Sequence, residues 1–446
     1  MERNNLLDIL PVSPFQEAIF FNDFFGEDSD LYLEQVQFII DEVMTYELFV
    51  ETWRRIIVNN EMLRTLFRWE GMNEPVQIIL KHYEGNFTFY DEPSNPKILL
   101  AERFKCKDLS CPPFHVALCV HDDNASQIII SNHHILYDGW SNSILIGEFV
   151  QTYFDLKNNA EPVPTLKSEY KTYLKHIFAF PVEEQISYWK NKLSNLENCT
   201  KYFFTDKKDP KNKNSDKIRC MYYTLSNSLK HKLDSFVKSK NVTIASVIYM
   251  SWAVVFSRYT QNKDILFGTA VSGRDIPLVG ITNTIGLYIN TIPLRQQLDV
   301  QSNILDHLHL IIKEVSERRK FEHFPLPEII RAINNKSVND LGLFDVLILV
   351  ENYPIDKGVL SREKSPIHSI QSFDAKSANR LTIEFRSFIE YEVVFKIKDQ
   401  GPDSKFIKLY EDFLEVMSLI IDYSQAPITI LLTSNLEGEV VAYAGE

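Results

Sequence analysis

Apolar and polar positions along the chain alternate in some stretches with a period of two and in others with a period near four. Residues 32–40 alternate, with Val36, Phe38 and Ile40 on one face, and predict a strand. Val76–Leu80, 115–121 and 127–131 predict further strands, the last built on the buried-type run Ile128-Ile129-Ile130. Helical patterns lie between them. Ser13 is an N-cap, Pro14 fits the first helical position and Gln16 completes a capping box, so a helix opens there. Thr45 caps a second helix that turns Leu48, Trp53, Ile56 and Ile57 inward, and 144–150 predicts a helix after the 127–131 strand. Together these make an α/β lobe. Residues 184–193 form a helix that carries the chain onward, and 207–216, rich in Lys, Asn and Asp, is a solvated loop. A strand at 221–225, helices at 229–237 and 243–259 and a buried strand at 265–271 then echo the order of the first half, with no repeat at the residue level.

One junction in this pattern carries chemistry. Between the 127–131 strand and the 144–150 helix stands Ser131-Asn132-His133-His134-Ile135-Leu136-Tyr137-Asp138-Gly139-Trp140-Ser141. Alternation along a strand sends one histidine into the protein and the other towards a cleft. A histidine titrates near neutrality and can take a proton from an amine or hydroxyl. Asp138 can pair with an arginine and brace the loop, and Gly139 leaves room beside it. A metal site is the weaker reading, because no third ligand stands at a spacing such as His-Glu-x-x-His.

Composition narrows the class. The 446-residue chain has a length prior of about three domains, or fewer if they are large. Abundant Phe and Tyr with few Gly argue against collagen-like, linker-rich or disordered chains. A formal charge of −13 argues against a nucleic-acid binder. Cys106, Cys111, Cys119, Cys199 and Cys220 are irregularly spaced and form no CxxC pair. They read as reduced cytosolic thiols, neither a disulfide framework nor a zinc site. The first residues carry no signal-peptide pattern, and the longest apolar run, 244–256, is broken by Ser246 and Ser251. A cytoplasmic protein without a membrane partner is expected.

The junction, read as His-His-x-x-x-Asp-Gly, resembles the signature of nonribosomal peptide synthetase condensation domains, which share it with chloramphenicol acetyltransferase and related acyltransferases. Further stretches resemble the other motifs of that family. They are Leu10-Pro11-Val12-Ser13-Pro14-Phe15-Gln16-Glu17; Asn59-Asn60-Glu61-Met62-Leu63-Arg64-Thr65-Leu66-Phe67, where Asn59 and Asn60 replace Arg-His; and Ser168-Glu169-Tyr170-Lys171-Thr172-Tyr173. Beyond the middle of the chain come Ile285-Gly286-Leu287-Tyr288-Ile289-Asn290-Thr291-Ile292-Pro293-Leu294-Arg295, His323-Phe324-Pro325-Leu326-Pro327-Glu328, and Glu351-Asn352-Tyr353-Pro354. Ser377-Ala378-Asn379-Arg380-Leu381-Thr382 follows, with Arg380 departing from the pattern.

The resemblance implies two acetyltransferase-like α/β lobes, 1–177 and 178–446, set as a V around a central channel. It implies an acyltransferase of antibiotic-type secondary metabolism that forms an amide between a carrier-bound donor thioester and the amine of a carrier-bound acceptor. No cofactor would bind the domain itself, because the substrates arrive on phosphopantetheine arms. The partners would be an upstream donor and a downstream acceptor carrier protein, with an adjacent adenylation domain. The catalytic motif would be His133, His134, Asp138 and Gly139, with His134 the functional histidine and His133 packed inward. Arg64, and after it Arg295, would brace Asp138. Trp140, Ser141, Asn290 and Thr291 would border the channel. The first motif and the runs from Asn290 and Glu351 resemble the type that accepts a D-configured donor. Alternatives are a starter domain that N-acylates with a fatty acyl donor, a related epimerisation domain, a free-standing CoA-dependent acyltransferase and a non-catalytic carrier-docking domain.

Overall fold

The computed structural model describes residues 3–25, 32–122, 124–196, 218–333, 343–351, 367–373, 379–387, 390–398 and 402–433. The expected loop at 207–216, Cys199, Asn352-Tyr353-Pro354 and Ser377-Ala378 lie outside them. The chain divides into two compact units, each a mixed α/β layer structure. The first holds the residues up to Pro181 together with Ser272–Ile289 and the stretch containing Ile367–Phe373. The second takes Val182–Val271, Asn290–Asn352 and the chain from Ser377. The first unit thus includes two segments from later in the chain.

The sheet of the first unit has five strands in the order Ile367–Phe373, Leu33–Ile40, Ala125–His133, Phe114–Asp122, Phe87–Tyr90. Its central strand, Ala125–His133, is buried along its whole length and runs two residues past the predicted end, through both Asn132 and His133. Val36, Phe38, Ile40, Ile128 and Ile130 turn to the core that helices Tyr46–Asn59 and Gly139–Lys157 close from one side. Trp53 and Phe149 stack there at 5.2 Å. A smaller sheet, Leu6–Pro11, Val76–Leu80 and Thr65–Arg68, stands beside helix Pro14–Phe25. The capping box that opens this helix forms as its sequence predicts: Ser13 N–H donates to Gln16 Oε1 at 2.8 Å and Gln16 N–H to Ser13 Oγ at 3.2 Å.

The second unit has a six-stranded sheet in the order Asn290–Gln297, Asp264–Val271, Val346–Glu351, Leu381–Ser387, Tyr391–Ile397, Arg219–Thr224. Val346–Glu351 lies parallel to both of its neighbours. Helix Ile244–Thr260 is almost wholly buried in this core, which accounts for its largely apolar sequence. Among the described residues no single helix is long and apolar enough to cross a membrane.

Candidate active site

The two histidines sit where the first unit's central strand ends. Leu33–Ile40 pairs antiparallel with it, Leu33 opposite His133 and Glu34 opposite Asn132. His134 N–H donates to Tyr32 O at 2.8 Å, which extends the ladder one residue beyond the strand. His133 is buried, and its Nδ1 accepts the Ile135 N–H at 3.2 Å. That acceptor role places its proton on Nε2 and makes the ring a brace for the turn. His134 keeps its side chain 16% exposed. Gln16 reaches across from its capped helix and donates to Ile135 O at 3.1 Å, so the Leu10–Glu17 stretch holds the turn that follows the two histidines.

Asp138 is the N-cap of helix Gly139–Lys157, which begins five residues before the predicted 144 and includes Gly139 as its first residue. Asp138 Oδ1 accepts from the Ser141 N–H at 3.2 Å and the Ser141 hydroxyl at 3.0 Å. Arg274 supplies the cation. Its Nη1 lies 2.7 Å from Oδ2 and its Nη2 3.0 Å from Oδ1, a two-pronged pair in which both side chains are 1% exposed. The Tyr288 and Ile289 N–H groups add bonds to Oδ2 at 3.0 and 3.2 Å.

Arg64 and Arg295, the expected braces, are engaged elsewhere. Arg64 donates to the Leu80 carbonyl. Arg295, in the second unit, pairs with Asp264 at 2.6 Å and caps the carbonyls of Lys192 and Ser194. Neither bonds Asp138.

Arg274 belongs to Ser272–Ile289, a segment that leaves one strand of the second unit's sheet and rejoins it at another while packing with the first unit. Gly273 makes its approach possible: φ is +65°, and a Cβ there would come within 1.9 Å of Tyr288 O. The guanidinium lies 4.4 Å from the Tyr288 ring centroid and 5.4 Å from that of Trp140. Tyr288 packs on Tyr173 at 4.6 Å, and the Tyr170 hydroxyl donates to Leu287 O at 2.9 Å, so the Tyr-rich helix Tyr170–Phe178 clamps the segment. Within the run from Ile285 the strand begins at Asn290, while the N–H groups of Gly286, Tyr288 and Ile289 bond to Ser141 and Asp138.

The four expected channel residues have defined places. Ser141 is fully buried: its hydroxyl donates to Asp138 and accepts from Arg274 at 3.0 Å and the Gly286 N–H at 3.1 Å. It belongs to the brace and has no surface to offer a substrate. Trp140 is partly exposed and donates its indole N–H to Thr282 O at 3.1 Å. Asn290, in the second unit, donates to Glu322 O at 2.7 Å and Phe324 O at 3.0 Å and accepts from the Thr291 N–H at 2.8 Å. Its amide is thus committed to holding a loop. Thr291 pairs with Ala270 in the ladder.

Sequence reasoning missed Glu34. Its carboxylate is buried, with Oε2 3.1 Å from His134 Nδ1 and 3.4 Å from Asn132 Nδ2. The approach to the ring is oblique, an ion pair without an aligned hydrogen bond. Burial of the His134 ring works against its charged form. The Glu34 carboxylate, with smaller contributions from Asp138 and the Tyr137 backbone, outweighs that burial, and the proton affinity of His134 is raised. The signal was in the alternation: Glu34 stands on the face of Val36, Phe38 and Ile40, where an apolar residue would be expected.

The strand-end histidine pair and the locked Asp138 belong to a chain built of two mixed α/β units. The chain belongs to the condensation-domain family, whose profile matches residues 7–407, and so to the amide-forming acyltransferases. A plipastatin synthase component of Bacillus subtilis (strain 168) is 26% identical over 446 aligned residues, 95% of this chain and 12% of that protein. Tyrocidine synthase 2 of Brevibacillus parabrevis is 28% identical over 367 residues, 79% of this chain and 10% of that one. The chain thus spans about a tenth of the length of these relatives. The condensation domain of the monacolin K polyketide synthase has the same fold, with a TM-score of 0.77 at 12% identity over 95% of this chain and 100% of that one. The first condensation domain of the calcium-dependent antibiotic synthetase, in complex with a substrate analogue, has a TM-score of 0.74 at 15% identity over 95% and 99%.

Proposed function

We propose that this domain forms a peptide bond. It joins a donor peptidyl or aminoacyl group, held as a thioester on an upstream carrier protein, to the amine of an aminoacyl group on a downstream carrier. The observation that supports this most is His134, partly exposed at the end of a buried strand and faced by a carboxylate. The acceptor nitrogen attacks the donor carbonyl carbon. The C–N bond forms, the C–S bond breaks, and the amine proton passes through His134 to the departing thiolate. The same histidine holds the amine at attack geometry. Both substrates ride on phosphopantetheine arms, and the domain contributes no cofactor of its own. An adjoining adenylation domain and a cytoplasmic setting complete this reading.

Within it, the donor is D-configured at its C-terminal residue. Support comes from the resemblance of Leu10 to Glu17, Asn290 to Arg295 and Glu351 to Pro354 to the D-donor type. Single-turnover assays with carriers loaded with D-aminoacyl, L-aminoacyl and fatty acyl donors test it. Amide formation faster with the D-donor is expected. Equal rates or a preference for L contradict the D assignment, and turnover of the fatty acyl donor alone makes this a starter domain.

A further inference from the structure

We propose that Glu34 is a positioning residue for His134: its carboxylate keeps a proton on Nδ1, leaves Nε2 as the nitrogen that exchanges protons with substrate, and stabilises the imidazolium formed when that nitrogen takes the amine proton. This rests on the reading of His134 as the proton acceptor. The placement follows from the pleat. Glu34 lies directly opposite Asn132, and His134 follows Asn132 by two, so the three side chains share one face. Asn132 Nδ2 steadies Oε2 at 3.4 Å, and the ring nitrogen sits 3.1 Å from the same oxygen. The Glu34 side chain is 10% exposed and that of His134 16%, which weakens solvent screening between them.

The other charged or titratable groups around His134 do not take over this role. Asp138, on the turn after it, has its carboxylate committed to Arg274 from the 272–289 segment. His133, the neighbour in sequence, uses Nδ1 to accept a backbone N–H. Tyr137, on the same turn, is a buried phenol whose proton affinity burial raises far above the ordinary value, so it stays neutral. Glu34 is therefore the anion that His134 meets without an intervening cation. A carboxylate at the far nitrogen of a catalytic imidazole fixes its tautomer and stabilises the cation it becomes.

The test compares wild type, Glu34→Gln, Glu34→Asp and His134→Ala with two loaded carriers, across pH. Glu34→Gln keeps the shape and removes the charge. Its single-turnover rate should fall about tenfold or more, with the concentration of acceptor carrier at half-saturation within about twofold of wild type. The acid limb of its pH–rate profile should move to lower pH by about one unit or more, since loss of the anion lowers the proton affinity of His134. Glu34→Asp keeps the charge and should hold the limb near its wild-type place. NMR titration of labelled histidine reads the His134 midpoint directly in each folded variant and does not depend on turnover. An inactive His134→Ala beside a Glu34→Gln with unchanged acid limb and NMR midpoint overturns the role of Glu34. A His134→Ala as fast as wild type instead overturns the proton-acceptor reading on which it rests.

Discussion

Arg274 grips Asp138 with both ends of its guanidinium, at 2.7 and 3.0 Å, inside a setting where each side chain is 1% exposed. Because Arg274 also donates to Ser141 Oγ and to the carbonyls of Thr284 and Gly286, one side chain fastens the 272–289 segment to the turn that carries His134. Asp138 in turn caps the helix that follows the motif. The aspartate is therefore an anchor for the turn and for the start of that helix.

Removing one partner of a buried ion pair leaves the other charge uncompensated, at a cost of about 3–5 kcal/mol. Asp138→Asn and Arg274→Ala should each lower stability by that order, read by thermal or denaturant melting. The double variant should cost clearly less than the sum. Asp138→Asn combined with Arg64→Ala or with Arg295→Ala should be additive, because those arginines bond Leu80 O and Asp264 instead. Additivity with Arg274→Ala would remove the anchor from the account.

A second buried network predicts acid sensitivity in the first unit. The Glu102 side chain is 1% exposed and meets His115 Nδ1, Lys105 Nζ and the Tyr90 hydroxyl, each at 2.6 Å. Burial alone would raise its pKa, but the bonds from His115, Lys105 and Tyr90 outweigh it and hold the carboxyl down at about 2. A carboxyl depressed from 4.5 to about 2 contributes about 3 kcal/mol, present above pH 4.5 and lost as pH falls towards 2. Glu102→Gln should melt lower at pH 7 and lose less stability than wild type between pH 5 and about 2, when melting is followed across that range.

His307 predicts the same sign in the second unit from a different cause. It is 4% exposed, its Nε2 has no hydrogen-bond partner among the described residues, and burial pushes its pKa down to about 4 against a weaker opposing pull from Asp299. Its neutral form is stabilising above pH 6.5, and about 3 kcal/mol is lost as pH falls from 6.5 to 4. His307→Leu should flatten the dependence of melting on pH across that window. An unchanged slope would show that the ring is not held neutral.

Much of this was legible in the sequence wherever a local rule was strong. The Ser13/Gln16 capping box, the Thr45 cap and the alternation through Phe38 and Ile130 each depend on neighbours a few residues apart, and they stand in the structure as read. The extent of the helix after His134 was not legible, because Gly139-Trp140-Ser141 breaks the apolar pattern and hides an N-cap at Asp138. Arg274 was beyond local rules altogether: its pairing with Asp138 spans 136 residues and depends on a backbone approach that only Gly273 permits. Its single trace is the Gly-Arg of Ser272-Gly273-Arg274-Asp275. Glu34 did leave a trace, a charge on an apolar face, but its meaning required the register that sets it opposite Asn132.

The central claim is that His134 handles the amine proton in amide formation. Single-turnover condensation between two loaded carrier proteins, measured for wild type and His134→Ala with melting curves recorded for both, tests it most directly. His134→Ala should melt like wild type and form amide roughly 10²–10⁴ times more slowly. A folded His134→Ala that condenses at the wild-type rate would contradict it.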